Sequence, residues 1–236
     1  MVSFLQNSWL ALLLAALIAY VLGSVNFAII ITRFFSGNDI RSFGSGNAGA
    51  TNVLRSQGKL PAAFTFVGDL LKSMLSVYLG GLLLQNVQLL PAAADEMELL
   101  MYDPQNLGLV GAYLAGVFCI LGHMYPVFFG FRGGKGVMTT FGMTLLLDWR
   151  TALIMLGIFI LVVLITRMVS LGSMIAGIFM PFLTYGMRVW VYGQSWETAA
   201  FCAAVAVLIA VIVIIKHREN IKRILNGTES KLGRKQ

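Results

Sequence analysis

The sequence predicts an all-α integral membrane protein: a seven-span helical bundle with the N-terminus outside, the C-terminus cytoplasmic and one helix short or half-inserted. Three observations predict it. Of the 236 residues 58% are hydrophobic and 11% charged, and the mean hydropathy of +0.83 exceeds what a soluble domain of this length carries. Apolar stretches recur at about 8–32, 61–85, 106–122, 137–147, 151–166, 169–192 and 198–215, most of them near or above the ~17–25 residues a crossing helix needs. With the N-terminus outside, 14 of the 17 Lys and Arg residues fall on the inner side, from Arg33, Arg41, Arg55 and Lys59 to the tail. Arg150 and Arg188 fall outside and Lys72 within a span, while Asp95, Glu96, Glu98, Asp103, Asp148 and Glu197 gather outside.

The first apolar run lacks a positive leading region and continues from Trp9 to Thr32, so it reads as a retained helix rather than a signal peptide. In the second, Asp69 and Lys72 stand at i and i+3, where unpaired charges are costly; they pair with each other or with polar groups of the bundle, and either support the site or its fold or touch substrate. The fourth stretch, 137–147, at about 1.5 Å per residue reaches about half of a ~30 Å core. It needs Val127–Phe131 or local thinning to complete a crossing. The longest loop, about 86–105, is acidic and external, and the tail 216–236 is a basic amphipathic stretch suited to an anionic inner leaflet. Cys119 and Cys202 lie in apolar spans without metal-ligand spacing. Asn226-Gly227-Thr228 fits a glycosylation sequon but lies on the inner side. With no repeat, low-complexity tract or soluble linker, residues 1–236 read as a single polytopic membrane domain.

Three segments carry the chemistry, and the predicted topology brings all of them out on the cytoplasmic side. The first is Asp39 to Arg55. Its Gly44-Ser45-Gly46-Asn47-Ala48-Gly49 matches G-x-G-x-x-G but follows a membrane span, which excludes a dinucleotide site. The physics of the motif survives: glycines allow positive φ and close approach, so N–H groups cradle an anion. Asn47, Thr51 and Asn52 add side-chain donors and Arg55 a fork for phosphate. The second segment, Gly122 to Gly136, resembles a Walker A loop only at Gly134-Lys135: Phe129 stands where that loop requires Gly, and Gly136 where it requires Ser or Thr. What remains is Arg132 and Lys135 among Gly133, Gly134 and Gly136, Arg132 also serving as a positive-inside anchor. The third, Lys216 to Glu229, sets His217 and Asn220 at i and i+3 on one helix face, with Lys222 nearby; Ser170 or Ser173, flanking Leu171-Gly172, adds a hydroxyl.

These segments, with Gly-Ser-Gly-Asn-Ala-Gly-Ala-Thr-Asn-Val at 44–53, Phe-Arg-Gly-Gly-Lys-Gly-Val at 131–137 and Lys-His-Arg-Glu-Asn-Ile-Lys-Arg at 216–223, resemble the bacterial membrane acyl-phosphate:glycerol-3-phosphate acyltransferases of the PlsY type over nearly the whole chain. Two departures are Asn26, where that family suggests Pro, and the long loop 86–105. The resemblance implies phospholipid biosynthesis at the bacterial cytoplasmic (inner) membrane, by transfer of an acyl group from acyl phosphate to the primary hydroxyl of sn-glycerol 3-phosphate. The products are lysophosphatidic acid and phosphate. It implies Ser45, Lys135, His217 and Asn220 as catalytic residues. Gly44, Gly46, Asn47, Gly49, Thr51, Asn52, Arg55, Arg132, Gly133, Gly134, Ser170 and Ser173 would bind substrate, supported by Asp69, Lys72 and Glu229.

No metal or organic cofactor, no nucleic acid and no obligate protein partner is expected; the partners are the two substrates and membrane lipids. The His-x-x-x-x-Asp dyad of acyl-CoA-dependent enzymes is absent, since Phe128 lies five after His123 and Lys222 five after His217. Acyl phosphate is already activated, so its own phosphate is favoured over His217 as proton acceptor. The alternative class is an anion or phosphate transporter using Asp69 and Lys72. Transporters, however, concentrate sites near the midplane of a repeated architecture, and here the polar residues gather on one face. A third reading, a non-catalytic lipid-binding scaffold, leaves the placed glycines and anion donors without a use.

Overall fold

A computed structural model describes residues 2–85 and 104–233. Residues 86–103 of the expected external loop and the last three of the tail lie outside the described residues. Among those described the structure is helical, without strands: α1 Val2–Ser24, α2 Phe27–Ser36, α3 Ala50–Gln57, α4 Lys59–Gln85, α5 Pro104–Met124, α6 Val137–Leu147, α7 Trp149–Thr166, α8 Val169–Gly186, α9 Trp196–Lys216 and α10 Arg218–Leu225. A π-helical turn, Met187–Val191, extends α8.

Among the described residues, six stretches are long and apolar enough to cross a membrane: Leu10–Ser36, Lys59–Gln85, Leu107–Phe129, Trp149–Thr166, Val169–Val191 and Trp196–Lys216. Val137–Leu147 is a shorter apolar helix, ending where the sequence pattern ends. Apolar side chains face outward, with Leu164 73% and Ile165 75% exposed, as lipid-facing surfaces require. The protein is a multi-pass membrane protein.

The chain packs as two compact units, residues 1–147 and 148–236. In the first, α4 and α5 cross at Gly80 and Gly111, where a Cβ on either residue would collide with the other's carbonyl oxygen. Such backbone contact suits a bilayer, where van der Waals packing replaces the hydrophobic drive between helices. Short α6 is tied to α4 by Ser73, whose hydroxyl donates to the carbonyl of Thr139 at 2.6 Å. In the second unit Asp148 caps α7 by accepting from the Arg150 amide at 3.0 Å, and it also accepts from the Tyr192 hydroxyl at 2.8 Å. Ser195 caps α9.

The first span differs from expectation. Instead of one helix over 8–32, the chain breaks at Val25-Asn26 and continues in α2 to Ser36. The carbonyls at the break are satisfied, which makes it tolerable in lipid, although the Asn26 side-chain nitrogen is buried without a hydrogen-bond partner among the described residues. Asn26 accepts from the Ile29 amide at 3.2 Å as the N-cap of α2, and the Lys72 ammonium donates to the carbonyls of Gly23 at 3.0 Å and Val25 at 2.7 Å. A second unforeseen element is α3, a polar helix between the glycine loop and α4.

Candidate active site

In the first unit the structure brings two of the three segments together. The first begins with Asp39 capping the turn Ile40–Ser42. Arg41 grips Asp39 through Nε at 2.9 Å and Nη2 at 2.8 Å, then reaches on to the carbonyls of Phe129 at 2.7 Å and Arg132 at 3.2 Å. Arg33 adds a further contact to Asp39 at 2.9 Å. The hydrogen bonds from Arg41 hold the Asp39 carboxyl well below the usual carboxylate range.

The glycine loop is organised by Asn52 rather than by its glycines alone. Buried Asn52 donates to the carbonyls of Ile40 at 3.3 Å, Phe43 at 2.9 Å and Asn47 at 3.1 Å, and accepts from the Ser45 amide at 3.1 Å. Its carboxamide is thus committed to shaping the loop, which corrects the expectation of a donor aimed at a ligand. The Gly46 and Gly49 amides are engaged too, with Phe43 at 2.9 Å and Asn47 at 3.1 Å. The N–H groups of Gly44 and Asn47 in the loop, and of Ala48, Ala50 and Thr51 leading into α3, make no hydrogen bond among the described residues. Gly44, at φ +53, leaves room for Asn52, since a Cβ there would collide with its Oδ1. Ser45 and Arg55 are exposed, and Asn47 and Thr51 half-buried.

In the second segment the turn after α5 folds back on the helix end. The Gly133 amide donates to Met124 at 3.2 Å and the Gly134 amide to His123 at 3.1 Å. A Cβ on Gly133 would collide with the His123 carbonyl, and one on Gly134 with both His123 Nε2 and the Ala48 carbonyl, so both positions require glycine. The second contact joins this turn directly to the first segment. Lys135 follows the clamped pair half-buried; Arg132 is exposed. Phe131 holds φ 58, a left-handed conformation costing an aromatic residue about 1–2 kcal/mol.

Behind this turn lies a buried ionic group. Lys72 Nζ sits 2.8 Å from Asp69 and 3.1 Å from His123 Nδ1, and the three residues are 5%, 1% and 3% exposed in that order. Asp69 and Lys72 pair as their spacing predicts. His123 was not singled out by its sequence context: it stands 51 positions from Lys72, at the end of another apolar helix. Arg41 and Asp39 were likewise missed, although the Asp-x-Arg spacing was a visible signal for a local ion pair.

In the second unit the third segment forms its own polar cluster. His217, at the junction between α9 and α10, and Asn220, in α10, are both buried. His217 Nδ1 lies 2.8 Å from the Val213 carbonyl. Because a carbonyl only accepts, that nitrogen carries the proton. Buried Glu229 accepts from Ser170 at 2.6 Å, Asn220 at 2.7 Å and Arg223 at 2.8 Å. Burial pushes the Glu229 carboxyl up, but the hydrogen bonds from Ser170, Asn220 and Arg223 outweigh it and hold the group below its usual range. Ser173 donates to the Val169 carbonyl at 2.9 Å. Among the described residues no group of three or more His, Cys, Asp or Glu side chains converges as a metal site.

The sequence profile of glycerol-3-phosphate acyltransferases matches residues 13–227. Curated glycerol-3-phosphate acyltransferases are similar along their length. The protein from Carboxydothermus hydrogenoformans is 38% identical, with 94% of this chain and 97% of the relative covered. That from Jannaschia is 38% identical with 99% of each covered. A crystal structure of PlsY (YgiH), an integral membrane glycerol 3-phosphate acyltransferase in its glycerol 3-phosphate form, superposes with a TM-score of 0.74 at 32% identity, covering 94% of this chain and 96% of that one. Its lysophosphatidic acid form gives 0.72 at 31% identity, covering 94% and 95%. Matched over nearly all of its length, by sequence and by fold, this chain belongs to the glycerol-3-phosphate acyltransferase family.

Proposed function

We propose that this enzyme transfers a fatty acyl group from acyl phosphate to the primary hydroxyl of sn-glycerol 3-phosphate, at the cytoplasmic face of the bacterial inner membrane. The observation that carries the reading is the joint between the first two segments, where Gly134 lies against the Ala48 carbonyl and Arg41 spans to Phe129. This joint supports reading Arg55, Lys135, Ser45 and the loop amides as one anion-suited region, in a family that includes a crystal structure of a glycerol 3-phosphate form.

The hydroxyl oxygen of the acceptor attacks the acyl carbonyl, the bond to phosphate breaks, and the hydroxyl proton leaves with the departing phosphate. Lys135 and Arg55 neutralise phosphate charge, and Ser45 with the neighbouring amides steadies the oxyanion of the tetrahedral intermediate. Ser170 or Ser173, His217 and Asn220 bind and orient glycerol phosphate, with Glu229 fixing Ser170 and Asn220. Proximity and charge placement supply the catalysis, because the donor is already activated. The orientation is N-terminus outside and seven crossings, with α6 completing the count at a thinned part of the bilayer.

Use of Asp69 and Lys72 for ion passage loses its support: their side chains are engaged with each other, with His123 and with the carbonyls of Gly23 and Val25. The test is an assay of purified protein with acyl phosphate, acyl-CoA and acyl-ACP in turn. Lysophosphatidate should form from acyl phosphate with little or none from the other two. Comparable specificity constants for acyl-CoA would overturn the donor and leave the acyltransferase standing.

A further inference from the structure

Three ionisable side chains inside a helix bundle are an expensive way to hold helices together. An ion pair buried in protein is often replaceable by apolar residues without loss of stability, so its retention points to what it orients. Asp69, Lys72 and His123 are connected outward in two directions. Lys72 covers the carbonyls of Gly23 and Val25 at the break between α1 and α2. The His123 ring accounts for the other direction. Its Nδ1 lies 3.1 Å from Lys72 Nζ and 3.5 Å from Asp69 Oδ1, so that side of the ring faces the ion pair and the Nε2 edge is turned away from it. That edge of the ring is the one against which Gly134 packs, beside the carbonyl of Ala48. The His123 carbonyl also receives the Gly134 amide at 3.1 Å. Residue 134 is therefore held through both the backbone and the ring of one histidine, and Lys135 is next in the chain.

We propose that Asp69, Lys72 and His123 are positioning residues for Lys135. Asp69 and Lys72 fix the rotation of the His123 ring, and the ring sets the distance of Gly134 and Lys135 from the first glycine segment at Ala48. The inference rests on the proposed role of Lys135 in holding phosphate. It differs from a general stabilising role in one respect: it places the effect of His123 on substrate use through Lys135.

A double-mutant cycle separates these roles. The variants His123→Gln, Lys135→Ala and the pair are purified at full length in detergent, and kcat/KM for glycerol 3-phosphate is measured alongside Tm. His123→Gln should lower kcat/KM about tenfold with Tm little changed, and should lower it less than about twofold once Lys135 is already Ala, because residues acting through one another are not additive. Asp69→Asn, which keeps its shape, should repeat the pattern and takes the place of His123→Gln if that variant does not fold. The same fold-loss in both backgrounds, or a His123→Gln enzyme of wild-type efficiency, would overturn the inference while leaving the site. A Lys135→Ala enzyme of wild-type efficiency would instead remove the site reading, and this inference with it.

Discussion

Arg41 donates to the carbonyl of Phe129 at 2.7 Å across 88 positions of sequence, and the same guanidinium grips Asp39. One side chain thereby couples the first anion-suited segment to the second. Arg41→Ala should lower kcat/KM for glycerol 3-phosphate about tenfold, and Arg41→Lys should recover only part of it, since an ammonium does not reproduce the fork. The folded Asp39 carboxyl sits below its unfolded value of about 4. Its contribution is thus complete above that value and fades only as the pH falls through the lower folded one. Asp39→Asn should flatten the acid limb of Tm against pH; an unchanged limb would remove Asp39 from the account.

Charge at the site is tested at two other positions. Arg55→Ala and Lys135→Ala should each weaken use of the phosphorylated substrates by more than about tenfold, as loss of a charged partner to a bound anion costs about 1.5–3 kcal/mol. Near-normal kinetics in both, with the protein folded and inserted, would return them to the role of topology anchors.

For His217, the question is binding against proton transfer. Its Nδ1 proton is donated to the Val213 carbonyl, so the ring is held in a single tautomer. His217→Gln should mainly raise KM for glycerol 3-phosphate, with a smaller fall in kcat. A pure turnover defect at unchanged acceptor affinity would make His217 the base in place of the substrate phosphate.

Glu229 offers a pH-dependent reading of the second unit. Three donors converge on it, and its carboxyl is held below the unfolded value of about 4.3. The contribution is present above that value and lost as the pH drops through the folded one. Glu229→Gln should lower Tm and activity together at pH 7 and reduce the difference from wild type at low pH. A deficit that stays constant as the pH is lowered until the wild-type carboxylate is protonated would contradict the linkage.

Orientation follows from the basic bias and is open to labelling. With Cys119 and Cys202 removed, single cysteines at Asn47, Arg132 and Gly227 should resist an impermeant thiol reagent applied to intact cells, and one at Glu197 should react. Outside labelling of any of the first three would sink the seven-crossing arrangement.

How much of this was readable in advance depended on distance along the chain. The span 198–215 differs from α9, Trp196–Lys216, by a residue or two, because apolarity alone sets it. The Asp69–Lys72 pair was equally readable, being a matter of helix periodicity. The loop role of Asn52 was not, since the same carboxamide serves a ligand or its own backbone, and only the folded loop decides between them. The break at Asn26 was hidden by the unbroken apolar run around it. His123 acquires its neighbours only when α4 and α5 pack, a relation that local pattern does not encode.

The break in the first span bears on how the protein is made. The carbonyls at Gly23 and Val25 are satisfied by Lys72, which the ribosome adds 49 and 47 residues later. Until that lysine enters the bilayer, the kink exposes unpaired oxygens to hydrocarbon, at several kcal/mol each. The nascent N-terminal segment therefore inserts as a continuous helix or waits for its neighbour. The bent form is satisfied in the bilayer only once the two segments lie side by side.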